Sequence, residues 1–341
     1  MNTFARALGL AALSAGLFSG AAAAATIVEI DIAGAGTGNG QGTNPRGLND
    51  QGDVIGTYIE ASNKFHAFVR HADGSLQFFD FPDNSDGASI NDKGTMAGDY
   101  HNGSNYSGFI IDAEGSLTSF DVPDMTYTHP QSMNAHGDIV GETDIDSGPV
   151  HGFIRKAHGK IKVFDAPGAG SQTGTVAQCL NSQGIVCGFY VDDNNVWHGF
   201  VRNAKGKITT VDPDGSVRTN LIGINDDGTI VGNWRDSNFM THGLIRAADG
   251  TLTTFDVKNA AHTNLSGINK RGAACGTTVD SSGIAHSFIR NAKGHVTKFD
   301  PPDAIQQANY GSYAYAINGK GVVLGSYYDL NGAYHGYIRI P

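Results

Sequence analysis

Leu48-Asn49-Asp50-Gln51-Gly52 is the stretch on which the fold turns. An apolar residue, Asn, two variable residues and Gly recur at Asn91, Asn134, Asn181, Asn225, Asn269 and Asn318, at intervals of 42 to 49 residues. In each copy the Asn side chain starts a type I turn, and the Gly takes the left-handed position that closes a three-residue hairpin. The turn joins a short strand ending at Leu48 to a strand from Val54 to Tyr58. Further along each repeat comes a second tight turn of fixed length, as in Ala72-Asp73-Gly74 and Ala292-Lys293-Gly294. Two such turns per repeat, between runs rich in Val, Ile, Phe and Thr, predict an antiparallel four-stranded sheet each time. A period of this length running through a whole chain is the pattern of a β-propeller. The expected fold is therefore all-β, a seven-bladed β-propeller of four-stranded antiparallel blades.

The two ends bear on closure. The last repeat stops at Tyr337-Ile338-Arg339-Ile340-Pro341, one strand short, while Thr26 to Ile32 is a strand without a repeat of its own. Its Ile30-Asp31 matches Phe79-Asp80 and Phe255-Asp256, so the N-terminal strand is expected to complete the last blade and hide the edges of an open row. Upstream, Arg6, the apolar run Ala7 to Phe18 and the small residues Gly20 to Ala25 have the layout of a cleaved secretory signal. Residues 1–25 are expected to be removed, leaving one domain, 26–341, that is secreted or periplasmic. The apolar run is too short to span a bilayer, so no membrane insertion is expected.

A net charge of −10 disfavours nucleic acid as a partner, and a monomer is expected. Three cysteines are too few for a disulfide scaffold. Cys187 and Cys275 occupy the repeat position held elsewhere by Ile55, Ala97, Val140, Val231 and Leu324, and so read as core residues. Cys179 falls opposite Cys187 across the tight turn, which makes the two a candidate disulfide in an exported chain.

His66-Ala67-Phe68, His151-Gly152-Phe153, His198-Gly199-Phe200, His242-Gly243-Leu244, His286-Ser287-Phe288 and His335-Gly336-Tyr337 each begin 17 residues after the Asn, and the second repeat has Ser107-Gly108-Phe109. With these tripeptides the chain resembles the HAF-repeat family of predicted bacterial extracellular proteins, over essentially all of residues 26 to 341. The resemblance implies export and a repeat architecture, and carries no established activity with it. Counting outward from the second turn sets His66 opposite Asp80, His151 opposite Asp165, His198 opposite Asp212, His242 opposite Asp256 and His286 opposite Asp300. His335 then faces Asp31 across the closure. Facing residues on antiparallel strands are near enough for imidazole and carboxylate to share a hydrogen bond. Arg70, Arg155, Arg202, Arg246, Arg290 and Arg339 follow each His by four residues, and the repeat without His has Ile111 there. One polar cluster of His, Asp and Arg per blade is expected. No Ser or Cys nucleophile recurs beside these pairs and six separated copies cannot form one site, so their expected role is structural.

The uniform turns lie at one end of every sheet, so the variable loops gather at the other, where binding and catalysis on a rigid scaffold usually reside. Six residues before each Asn stands a hydroxyl, at Thr43, Ser85, Thr128, Thr175, Thr219, Thr263 and Ser312, a uniformity that favours backbone capping over ligand binding. Nine residues after the Asn come Tyr58, Tyr100, Tyr190, Trp234 and Tyr327. With Tyr310, Tyr313 and Tyr315 they are candidate ligand-binding platforms for sugar rings at the channel mouth, with ordinary packing between blades as the equal alternative. Asp99, Glu142, His129, His101, Arg218 and Arg235 are the candidate catalytic groups of this face. Two carboxylates suit glycoside hydrolysis, and Tyr or His with Arg suits proton abstraction beside a uronate; each of these charged groups also reads simply as a solvated loop residue. Loops such as Asp280-Ser281-Ser282-Gly283 and Asp329-Leu330-Asn331-Gly332 offer oxygen ligands for calcium, yet the same residues make hairpins. No metal site and no cofactor are otherwise expected. Three functions follow in order: an exported binding module for a carbohydrate or cell-surface polymer, an extracellular polysaccharide lyase or glycoside hydrolase, and a purely structural surface protein.

Overall fold

A computed structural model describes residues 25–341, apart from Asp80, Asp146 and Ser147. The signal-like segment up to residue 24 lies outside the described residues, as does Asp80, the expected partner of His66. Among the described residues every element is a strand. In the first repeat Gly42–Leu48, Val54–Ile59, Phe65–Arg70 and Leu76–Phe78 pair antiparallel in chain order. The same succession recurs in the following repeats. In the last, Ser312–Ile317, Val323–Tyr328 and Tyr334–Ile340 pair likewise, and Thr26–Ile30 takes the fourth place, with Thr26 opposite Ile340 and Ile30 opposite Gly336. Some neighbouring repeats also touch through a single parallel bridge, Tyr127 with Tyr106, Arg218 with Trp197 and Gly42 with Tyr334. Among the described residues the hydrogen-bonded sheets therefore number three of eight strands and one of four, rather than one per repeat.

The Asn that marks each repeat has two jobs. Asn49 Oδ1 accepts from the backbone N–H of Gly52 and Asp53 (2.9 and 2.8 Å), which holds its own turn. Its Nδ2 donates to the backbone carbonyl of Asn91 (3.3 Å), in the next repeat. Asn91 donates in the same way to Asn134, Asn134 to Asn181, Asn181 to Asn225, Asn225 to Asn269, and Asn269 to Asn318. Asn318 then donates to Asn49, so the series of bonds returns to its start. These side chains are 3–6% exposed, and a buried amide left unpaired would be costly.

Between repeats lies the apolar core. Phe68, Phe109, Phe153, Phe200, Phe288 and Tyr337, the aromatic members of the His tripeptides and of Ser107-Gly108-Phe109, are all fully buried. The middle residue of the tripeptide is small for a steric reason: a Cβ on Gly108 would stand 2.5 Å from the ring of Phe120 on the outer strand, and one on Gly152 2.8 Å from that of Phe164. The first strand of every repeat carries a β-bulge just before the Asn, at Pro45/Gly47, Gly87/Ser89, Pro130/Ser132, Ala177/Cys179, Leu221/Gly223, Leu265/Gly267 and Ala314/Ala316. Bulges re-aim the extra side chain, and here they build the site described next.

Candidate functional site

The residue inside each bulge is Arg46, Ala88, Gln131, Gln178, Ile222, Ser266 or Tyr315, and all of these line one central cavity of about 340 Å³. Asp86 and His129 line it as well. Leu48, Ile90, Leu180, Ile224, Ile268 and Ile317, each directly before its Asn, border this cavity and also a second one of about 230 Å³ on the side of the Asn turns. The apolar ring is thus the floor of a cup whose wall is mostly polar, with Ala88 and Ile222 its apolar members. Gln178 Oε1 is buried without a partner in that wall, a polar atom whose desolvation is uncompensated.

Beside the cup lies a cluster of ionisable groups. Asp99 on Met96–Asn102 accepts from His129 Nδ1 at 2.6 Å, and His129 stands opposite Glu142 in the register of the next repeat. Asp86 is opposite Asp99 and accepts from the Thr57 hydroxyl. Asp99 is 4% exposed. Burial pushes its carboxyl up, against the His129 bond, and burial likewise raises Glu142. For His129 burial opposes the charge, but the bond to Asp99 and the field of the surrounding acids leave it above the usual imidazole range. Tyr127 is raised, by burial first and then by Asp99 and Glu142. Solvated loop positions for Asp99 and Glu142 are thus corrected: both sit on strands, Asp99 bonded to His129 of the following repeat and Glu142 opposite that same His129 within its own repeat.

The other candidate residues lie elsewhere. Arg218 and Arg235 are directly opposite each other in the fifth repeat, where Arg218 Cζ sits 3.6 Å from the ring centroid of Trp197. Neither lines the cup. His101 bonds Asp83 at 2.7 Å and packs on Tyr106. Of the eight candidate aromatics, Tyr315 alone lines the cup, its hydroxyl 2.6 Å from Ser326 Oγ. Tyr58, Tyr190, Trp234 and Tyr327 stack on His66, His198, His242 and His335, with centroids 4.7–4.9 Å apart, so an open rim of sugar platforms is not what they form. Tyr100 stacks on Phe81, Tyr313 meets the edge of Tyr328, and Tyr310 precedes the strand Ser312–Ile317.

The repeated histidines are clamped. His151, His198, His242, His286 and His335 place Nδ1 2.7–3.0 Å from Asp165, Asp212, Asp256, Asp300 and Asp31. A second acid, eleven residues after the Asn, reaches the other ring nitrogen: Asp192 at 3.6 Å from His198, Asp236 at 3.8 Å from His242, Asp280 at 3.5 Å from His286 and Asp329 at 3.9 Å from His335. Glu60 does the same for His66 at 2.9 Å, at ion-pair distance but without hydrogen-bond alignment. Asp280 and Asp329, which the sequence offers as calcium ligands or hairpin formers, thus face the histidines instead. The arginines do not join the cluster, which corrects that expectation. Arg155, Arg202, Arg290 and Arg339 instead lie over Phe120, Phe164, Phe255 and Phe299 of the preceding repeat, 4.8–5.2 Å from the ring centres.

The recurrent hydroxyls cap backbone. Thr43, Thr128, Thr175 and Thr263 accept from the N–H of Ile32, Val122, Ala166 and Val257 at 2.9–3.1 Å, each the residue after an outer-strand Asp. Thr219 Oγ1 has no partner because that residue is Pro213, which carries no N–H. Asp280 and Asp329 spend one oxygen on the N–H groups of their own hairpins. Cys179 and Cys187, register partners with Cα atoms 5.1 Å apart, are joined as a disulfide, and Cys275 is free and buried. Glu29, Asp31 and His335 bring one ligand atom each within 4.8 Å of one another, an exposed group that defines no metal by itself.

No protein-family model matches the chain, and no curated protein does. Several solved structures share its fold. Puromycin hydrolase aligns at 12% identity and a TM-score of 0.57, over 84% of this chain and 50% of that one. A post-proline cleaving enzyme from Rickettsia typhi aligns at 12% identity and 0.51, over 85% and 50%. The chain therefore spans about half the length of both. The BP39L lectin from Burkholderia pseudomallei aligns at 10% identity and 0.45, over 85% and 95%, too loosely to bear on function. Likeness at this level concerns the fold alone, which is β-propeller-like. No helix among the described residues is long and apolar enough to cross a membrane.

Proposed function

We propose that the chain is an exported, closed seven-bladed β-propeller and acts as a binding module, holding a carbohydrate or cell-surface polymer in the cup at its centre. The cyclic Asn bonds and the placement of Thr26–Ile30 support closure. One observation carries the functional reading: a bulge in every innermost strand aims a side chain into the cup, and that position is where the repeats cease to resemble one another. The Asn, the hydroxyl, the buried aromatic and the apolar floor are nearly uniform because the scaffold needs them. Arg46, Gln131, Gln178, Ser266 and Tyr315 share no such duty, and together they offer donors and acceptors above an apolar floor, the lining that suits a polar, ring-bearing ligand. The test is a glycan array and calorimetry on the mature chain. Gln178→Ala and Gln131→Ala are expected to weaken binding, while His242→Ala leaves it unchanged; indifference to both cup substitutions would exclude the cup.

A second reading, an extracellular polysaccharide lyase or glycoside hydrolase, draws on the Asp99, His129 and Glu142 cluster, whose raised carboxyls sit beside the cup as a general acid would. New reducing or unsaturated ends from a polysaccharide panel, lost in Asp99→Asn, would favour it over simple binding.

A further inference from the structure

The fifth repeat departs from its neighbours at the variable end of its sheet. Where others align Gly42 with Ile59, Tyr127 with Asp144, Gly174 with Val191 or His262 with Val279, it sets Arg218 opposite Arg235. Like charges facing each other on paired strands repel, and the chain, at −10, is rich in acids able to neutralise them. None does so: among the described residues neither guanidinium makes an ion pair or donates a side-chain hydrogen bond. Arg218 is half-buried over Trp197, which is itself stacked on Phe189 with centroids 4.2 Å apart. A guanidinium stacked on a ring keeps its N–H edge free for an anion.

A second anomaly lies in the hairpin that begins directly after Arg235. At the corner of the next hairpin Phe239 has φ 62°, where the other repeats place Asn63, Asn195, Gly283 and Gly332. A bulky aromatic in the left-handed region is strained, and this one is 67% exposed, so no core packing offsets the strain. Val217, beside Arg218, is 39% exposed and donates its N–H to the Arg235 carbonyl at 2.8 Å. Two cations without an anionic partner among the described residues thus share this end of the sheet with an exposed aromatic, held in a costly conformation four residues after Arg235.

We infer that this rim of the fifth repeat binds an anionic polysaccharide, with Arg218 and Arg235 on its acidic groups and Phe239 against the apolar face of a sugar ring. The inference rests on the binding-module reading and adds the charge of the ligand and a second contact outside the cup. Carboxylate and sulfate share the chemistry that the arginines recognise, and the polymers used in the test separate them.

The full mature chain is titrated with polygalacturonate, with a sulfated glycosaminoglycan and with neutral dextran, at low and at physiological salt. One or both anionic polymers are expected to bind, more weakly as salt rises. Arg218→Gln/Arg235→Gln is expected to lose about tenfold or more. Phe239→Asn, which restores the residue type common at this corner, should lower affinity while leaving the melting temperature equal or higher. Failure of both anionic polymers to bind, or equal binding by the double variant, overturns the inference. Dextran binding that is lost in Gln178→Ala, with neither anionic polymer bound, overturns it and leaves the cup standing. Anion binding that is lost with the arginines but indifferent to Gln178→Ala upholds the rim and removes the cup.

Discussion

Asn318 Nδ2 donates to the backbone carbonyl of Asn49 over 2.9 Å, a bond between residues 269 apart in the chain. The same side chain accepts from the N–H of Lys320 and Val322 at 3.0 Å, so one amide both shapes a turn and joins the last repeat to the first. Asn291, in a second-type turn, accepts from Lys293 and His295 at 3.0 Å but reaches no other repeat. The two residues separate the local job from the joining one.

Asn318→Ala is expected to cost about 1–3 kcal/mol, because it strands a buried carbonyl as well as the turn donors. Asn291→Ala, exposed and purely local, should cost about 1 kcal/mol or less. Urea unfolding of both variants measures the difference. Equal midpoints would mean that the cyclic bond adds nothing to stability.

The N-terminal strand is fixed by burial as much as by pairing. Ile30 and Ile32 are 2% and 3% exposed and pack with Phe68, Leu324 and Ile338, while Asp31 accepts from His335 Nδ1 at 2.9 Å. Ile30→Ala is expected to destabilise by about 2–5 kcal/mol, as a truncation in a packed core does. Thermal melts would register it, and limited proteolysis should begin at the N-terminus of the variant. A change within error of wild type would show that the strand contributes no core.

What the sequence made legible was whatever depends on counting along one repeat. Turn spacing, the missing fourth strand and the facing of His198 and Asp212 all follow from period-two geometry across hairpins of known length. Contacts between repeats were not legible. Nothing in Pro45-Arg46-Gly47 resembles Ala177-Gln178-Cys179, so the shared bulge left no common residue to recognise. Arg155 shares a strand with His151, which groups the two in the sequence, whereas its long stem reaches Phe120 of the repeat before. Asp99 reads as solvated in its own repeat because His129, which bonds it, comes one repeat later.

The disulfide gives a third expectation. Cys179 and Cys187 lie eight residues apart and both are buried in the contact between the fourth and fifth repeats, beside Val201 and Leu221. Closing so short a loop restricts the unfolded chain by about 2–3 kcal/mol. Reductant under denaturing conditions should lower the refolded stability of wild type by roughly that amount and leave Cys179→Ser/Cys187→Ser unaffected. Equal sensitivity of the two proteins would exclude the bridge as the cause.

The buried acid cluster should set the pH response. Asp99, Glu142 and His129 all hold protons more tightly folded than is usual for their types, the carboxyls through burial and His129 through its bond to Asp99 against burial. A folded state that binds more protons than the unfolded one loses stability as pH rises through that window. The carboxyls therefore weaken the fold from about pH 4 upward, and the contribution of His129, complete below about pH 6.5, fades as pH climbs through its folded value. Glu142→Gln has nearly the same shape and no charge. It is expected to match wild type near about pH 4 and to become progressively more stable than wild type towards about pH 8. Denaturant midpoints of the two proteins across that range decide the matter: parallel profiles, or a variant that falls behind at the alkaline end, would mean that the Glu142 charge is welcome where it stands.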